Sequence, residues 1–123
     1  MDNCKCDNVE KFVGFEVNIQ AANEDEEKLL KIFVEAFQLR RKKGADYGDV
    51  WKDLGTKKEF VYLYDKVMRL KTLIWDGNKP ANESTRDSVI DLINYSFHTA
   101  ILLDEELALL KNEEVKEIED VKN

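Results

Sequence analysis

An all-α fold follows from three features of the 123-residue sequence. Apolar residues recur at helical spacing over three long stretches, each stretch opens on a capping motif, and five Gly with a single Pro leave too few breakers for a turn-rich β-sandwich. The predicted architecture is a helical bundle of three long helices plus a short C-terminal helix, in one domain over residues 23–123, preceded by an N-terminal arm over 1–22. Three helices alone would cover such broad apolar faces poorly, so a homo-oligomer is expected.

In the arm, Val13, Phe15, Val17 and Ile19 fall on one face of an extended segment. They suit either a strand that pairs with a partner or a packed extended arm. Asn23 followed by Glu26 forms a capping box, and Leu30, Phe33, Val34 and Phe37 make an apolar stripe, predicting a first helix over 24–42. Its basic end, Arg40 to Lys43, suits the negative end of the helix dipole or a ligand, with Gly44 as the stop. A loop is then expected from Gly44 to Gly55, carrying Tyr47 and Trp51. Thr56 with Glu59 reads as the next capping box, opening a helix to about Trp75 with Phe60, Leu63, Val67, Leu70 and Ile74 as its buried stripe. Ser84 with Asp87 opens the third helix, with Val89, Ile93, Ala100, Leu103 and Leu107 along one line to at least Leu110. The charged remainder, with a thin seam of Val115, Ile118 and Val121, reads as a helical extension, a short fourth helix or a frayed tail.

Asp and Glu number 26 against 19 Lys and Arg, a formal net charge of -7. An acidic chain is a poor ligand for a duplex backbone, whose binding requires a basic face to release counterions, so bulk nucleic acid is not an expected partner. A local group of cations still suits one small phosphate ligand. No apolar run reaches the roughly 18 to 20 residues that span a bilayer, and the first residues lack a signal-peptide core, so a cytoplasmic protein without a membrane partner is expected. Cys4 and Cys6 are two ligands short of a structural zinc site and read as reduced thiols.

Polar groups concentrate on one side of the third helix. At about 100° per residue, Ser84, Asp87, Asp91, Asn94, Tyr95 and His98 lie opposite the Val89 line. Asp87 and Asp91 are i, i+4 neighbours, able to share one hard cation such as Mg²⁺, with the Asn94 amide a turn further on. A solvated face is the plainer reading. Glu35 on the first helix is a further acidic candidate. Lys66 and Arg69, at i, i+3 on the second helix, suit either phosphate or direct pairing with Asp87 and Asp91. His98 is the only His and has no nucleophile signature around it, which favours a stacking or hydrogen-bonding role. No glycine-rich phosphate loop is present.

Three stretches together carry a family resemblance: KKGADYGDVW at 42–51, KVMRL at 66–70 and ESTRDSVIDLINYSFHTAIL at 83–102. The chain resembles the nucleotide modification associated domain 1 family, small proteins frequent in phages and bacteria. The resemblance implies a link to nucleotide or DNA-base modification. More distantly, the chain is similar to all-α nucleoside triphosphate pyrophosphatases of the MazG and dimeric dUTPase type, which hold Mg²⁺ with ExxE and ExxD pairs. Glu24 and Glu27 supply the first spacing. The second departs from it, since Ser88 stands three before Asp91 and Asp87 is the nearest acid. The expected function is a Mg²⁺-assisted nucleotide-binding protein. Asp87, Asp91 and Glu35 would hold the metal, Lys66 and Arg69 would meet phosphate, and Tyr47, Trp51, Asn94, Tyr95 and His98 would contact the nucleotide. Either pyrophosphate hydrolysis or sequestration of a nucleotide, including a cyclic signal, fits that set, as does a non-catalytic adaptor.

Overall fold

Residues 14–122 are described by the computed structural model, apart from the side chains of Tyr47 and Lys122. Cys4, Cys6 and Val13 lie outside that range. The described chain folds into α1 (Glu24–Tyr47), α2 (Val50–Leu70), a π-helical turn (Lys71–Trp75) and α3 (Thr85–Lys122). No strand occurs among the described residues, and Phe15, Val17 and Ile19 are exposed in an irregular segment, so the strand reading of the arm gives way.

The expected capping residues open α1 and α3. Asn23 Oδ1 accepts the N–H of Glu26 at 2.9 Å, and the Glu26 carboxylate accepts the N–H of Ala22 at 3.2 Å. Ser84 Oγ accepts the N–H of Asp87 at 3.0 Å. The end of α1 differs from expectation: the helix passes through Gly44 and stops at Gly48, whose N–H donates to the Gly44 carbonyl at 2.8 Å and whose φ is 65°. One glycine inside a helix costs only about 1 kcal/mol relative to alanine, whereas a positive φ at Gly48 turns the chain.

The expected loop is therefore mostly helical. Val50–Leu54 forms the first turn of α2, and the chain kinks at Gly55 (φ 80°) before the helix resumes. Thr56 does not cap that resumption with Glu59. Its hydroxyl donates to the Glu106 carboxylate on α3, while Glu59 turns inward. At the far end α3 continues unbroken to Lys122, so there is no separate fourth helix among the described residues.

Packing turns much of the expected apolar stripe of α2 and α3 outward, while Leu63, Leu70 and Ile93 stay half-buried. Phe60 is 61% exposed and Ile74 63%, and Val67, Val89, Leu103 and Leu107 are also on the outside. The buried side chains instead include Glu59, Ser88, Asp91 and Asn94, with Ala36, Ile90 and Leu102 as the apolar core. α2 turns Glu59, Lys66 and Arg69 toward the polar stripe of α3, and α1 closes the other side of that stripe. Ser88, Asp91 and the Asn94 amide nitrogen find partners in this interface, whereas Glu59 Oε2 and Asn94 Oδ1 do not.

Candidate functional site

The polar interior opens into one cavity of about 490 Å³ between the end of α1, the start of α2 and the middle of α3. Arg40, Lys43 and Gly44 come from α1, Gly48 to Trp51 and Leu54 from the turn and first coil of α2, Glu59 and Tyr62 from beyond its kink, and Asp91, Asn94, Tyr95 and His98 from α3. Both glycine devices serve this cavity. The turn at Gly48 ends α1 at the cavity's edge, and the kink at Gly55 lies between the Trp51 coil and the Glu59 coil, both of which line it.

At one end, Trp51 lies flat on His98 with ring centroids 4.2 Å apart and planes at 6°. Arg40 lies over the Trp51 ring, 5.7 Å from its centroid, and its Nε donates to His98 Nε2 at 2.9 Å. That bond makes Nε2 an acceptor, so the neutral imidazole carries its proton on Nδ1. Burial, joined by the Arg40 charge, pulls the His98 pKa down to about 4. Tyr62 and Tyr95 stack at 5.5 Å on the neighbouring wall. Burial, reinforced by the Asp91 charge, raises the Tyr95 pKa.

At the other end, two helices deliver ammonium groups to one carboxylate. Lys43 Nζ lies 2.8 Å from Asp91 Oδ1 and Lys66 Nζ lies 3.0 Å from Asp91 Oδ2. Burial by itself would raise the Asp91 pKa, but the two ammoniums outweigh it and hold the carboxyl below its ordinary range. Burial likewise opposes the Lys66 charge, and Asp91 with Glu83 overcomes it, so the Lys66 pKa is raised. Lys66 also reaches Glu83 at 3.1 Å, and Arg69 donates to Ser88 Oγ at 2.9 Å and to the Glu83 carbonyl at 2.7 Å. Lys66 and Arg69 thus brace the start of α3, and neither lines the cavity.

The three acids expected to hold Mg²⁺ are held apart. Glu35 takes a bidentate bond from Arg86 at 2.6 and 3.1 Å on the outside of the molecule, and Asp87 is exposed beside that pair. Only Asp91 faces the cavity. Glu24 and Glu27 are exposed at the start of α1, with Glu27 paired to Lys31 at 3.0 Å. Among the described residues no three acidic, His or Cys side chains converge as an ion cage.

Of the residues expected to contact a nucleotide, the structure brings Trp51, Asn94, Tyr95 and His98 to the same cavity. Tyr47 ends α1, and its side chain lies outside the described ones. Sequence reasoning missed Glu59 and Tyr62, and took Arg40 and Lys43 only as part of a basic run. A signal for the first two was available, because stepping back from Arg69 and Lys66 at helical spacing reaches Tyr62 and then Glu59 on the same face.

His98 gives the fold an acid limit. The unfolded chain takes up a proton near pH 6.5 and the folded protein only near 4, so stability falls as pH drops through that window and is fully present above it. The expected loss is on the order of 3 kcal/mol by the lower edge. Urea midpoints of the native chain at pH about 7 and about 5 should differ. His98→Gln should narrow the difference.

Fold and site together define an all-α domain whose helices pack through polar side chains around a pocket of cations and stacked aromatic rings. Residues 43–103 match the model of the nucleotide modification associated domain 1 family, and the chain carries that domain. The matched stretch contains Lys43, Trp51, Glu59, Lys66, Asp91, Asn94, Tyr95 and His98, and leaves out Glu35 and Arg40. No curated protein and no solved structure matches the chain. No described helix is long and apolar enough to cross a membrane.

Proposed function

We propose that the protein binds a nucleotide in the cavity between α1, α2 and α3 and holds it without turnover, as an oligomer of this chain. The observation that carries the reading is the mixed lining of the cavity: cations at Lys43 and Arg40 and aromatic rings at Trp51, His98, Tyr62 and Tyr95 share one space of about 490 Å³. That size is within the range of small-molecule sites. Phosphates would exchange with Asp91 for Lys43, which is half-exposed and free to swing, while the base lies against the rings. The family match points to nucleotide chemistry as well.

Retention is favoured over hydrolysis because Glu35 and Asp91 each already answer to a cation, and Asp87 stands outside the cavity. Mg²⁺ enters this reading as a companion of the phosphates.

A thermal-shift screen against nucleotides and cyclic nucleotides, with and without Mg²⁺, tests it when each mixture is then run on anion exchange. A ligand at 100 times its Kd adds about 2.7 kcal/mol of stability. The expected result is a shift with intact ligand recovered. Mg²⁺-dependent release of monophosphate and pyrophosphate would replace retention by a pyrophosphohydrolase, and no shift with any ligand would leave an adaptor.

A further inference from the structure

Two buried acceptors in the cavity have no donor. Glu59 is 1% exposed, and its Oε2 makes no hydrogen bond; its Oε1 lies 3.9 Å from His98 Nδ1, beyond hydrogen-bond length. Asn94 donates through Nδ2 to the Ala36 carbonyl at 3.0 Å, which fixes the amide so that Oδ1 must be the free end, and Oδ1 is unpartnered too. Both residues line the same cavity, one from α2 and one from α3. Of the cations in the cavity, Arg40 Nε is engaged on His98 and Lys43 Nζ on Asp91.

A buried acceptor left without a donor costs about 1–3 kcal/mol. Two in one cavity make a wall that favours a ligand edge rich in N–H groups and disfavours one that presents carbonyl oxygens. Burial also raises the Glu59 pKa, because the charged form loses its water there.

The nucleobases differ in this respect. On its Watson–Crick edge guanine presents a ring N–H and an exocyclic amino group side by side, both donors, which match the two oxygens of one carboxylate. Adenine and cytosine place their amino group beside a ring nitrogen acceptor. Uracil and thymine place their single N–H between two carbonyls, either of which would face the Glu59 oxygens. We propose that Glu59, with Asn94 beside it, reads the base edge and makes this a guanine-selective pocket, an inference that rests on nucleotide binding in the same cavity. The stacked rings accept any base face, so selection falls to the buried acceptors.

The test is isothermal titration of the native chain with GTP, ITP and ATP in Mg²⁺, near neutral pH. ITP keeps the ring N–H and lacks the amino group. GTP is expected to bind about 10- to 100-fold more tightly than ATP, the span of a good bidentate contact, with ITP between them. Glu59→Gln, which turns one acceptor into a donor, should bring GTP down to the level of ATP. Equal binding of all three by the native chain overturns guanine selection and leaves the nucleotide reading standing. Binding of none of them, nor of any other nucleotide, overturns both. If Glu59→Gln does not fold, the ligand series on the native chain decides alone.

Discussion

Asp91→Ala is expected to cost about 3 kcal/mol of folding stability, near the lower end of the range for breaking a buried ion pair. Asp91 and Lys66 are both nearly buried, and the carboxylate is the point where Lys43 of α1 and Lys66 of α2 meet α3. Removing it leaves the Lys66 ammonium inside the packed interface with Glu83 as its remaining partner. That surviving pair is why the cost stays below the top of the range. Lys43 is half-exposed and turns to water, so Lys43→Ala should cost no more than about 1 kcal/mol. Urea unfolding near neutral pH separates the two through the midpoint at unchanged slope. The same pair of variants separates structure from binding. Lys43→Ala should weaken nucleotide binding in a chain that still folds, whereas Asp91→Ala should act first on the fold. A midpoint for Asp91→Ala close to that of the native chain would mean that the two lysines do not need this carboxylate. The stability Asp91 confers is present above its ordinary carboxyl pKa and is lost as pH falls through the lowered folded value. Its acid limit therefore lies below the one set by His98.

Local signals in the sequence were enough for helix starts and for the polar stripe of α3. Asn23 and Ser84 each satisfy a backbone N–H within their own first turn, a decision made by three or four neighbouring residues. The grouping of Asp91, Asn94, Tyr95 and His98 likewise follows from helical spacing alone. Which face turns inward was not legible. A helical wheel shows two faces and assigns the apolar one to the core, but in this chain polar side chains of α2 and α3 pair with each other and much of the apolar surface remains outside. Glu59 was misread for the same reason. Its spacing from Thr56 fits a capping box, and only the kink at Gly55 and the position of α3 send Thr56 to Glu106 and Glu59 into the cavity. The Mg²⁺ set illustrates the same limit across helices: Asp87 and Asp91 are one turn apart on α3, yet Arg86 draws Glu35 toward the outer of the two, away from Asp91.

Leu107→Asp combined with Leu110→Asp is expected to convert an oligomer into a monomer without unfolding it, which light scattering after gel filtration would read as a fall from a multiple of 14.4 kDa to 14.4 kDa. Large apolar side chains stay uncovered along the described helices. Phe60 and Val67 on α2, Ile74 on the π-helical turn that follows it, and Leu103, Leu107 and Leu110 on α3 are exposed at helical spacing, with Leu107 at 55%. α3 has 38 residues, about 57 Å of helix, against about 32 Å for the 21 residues of α2. Its C-terminal half extends past that helix and carries a further seam at Val115 and Ile118. A long helix with an uncovered apolar seam derives most of its stability from a partner, and a second copy offers the same seam in return. Because the two leucines face outward within the single chain, acidic replacements there oppose association before they oppose the fold. A native chain that elutes at 14.4 kDa would remove the second copy from the account, and a double variant that unfolds would show that the three helices cannot stand without it.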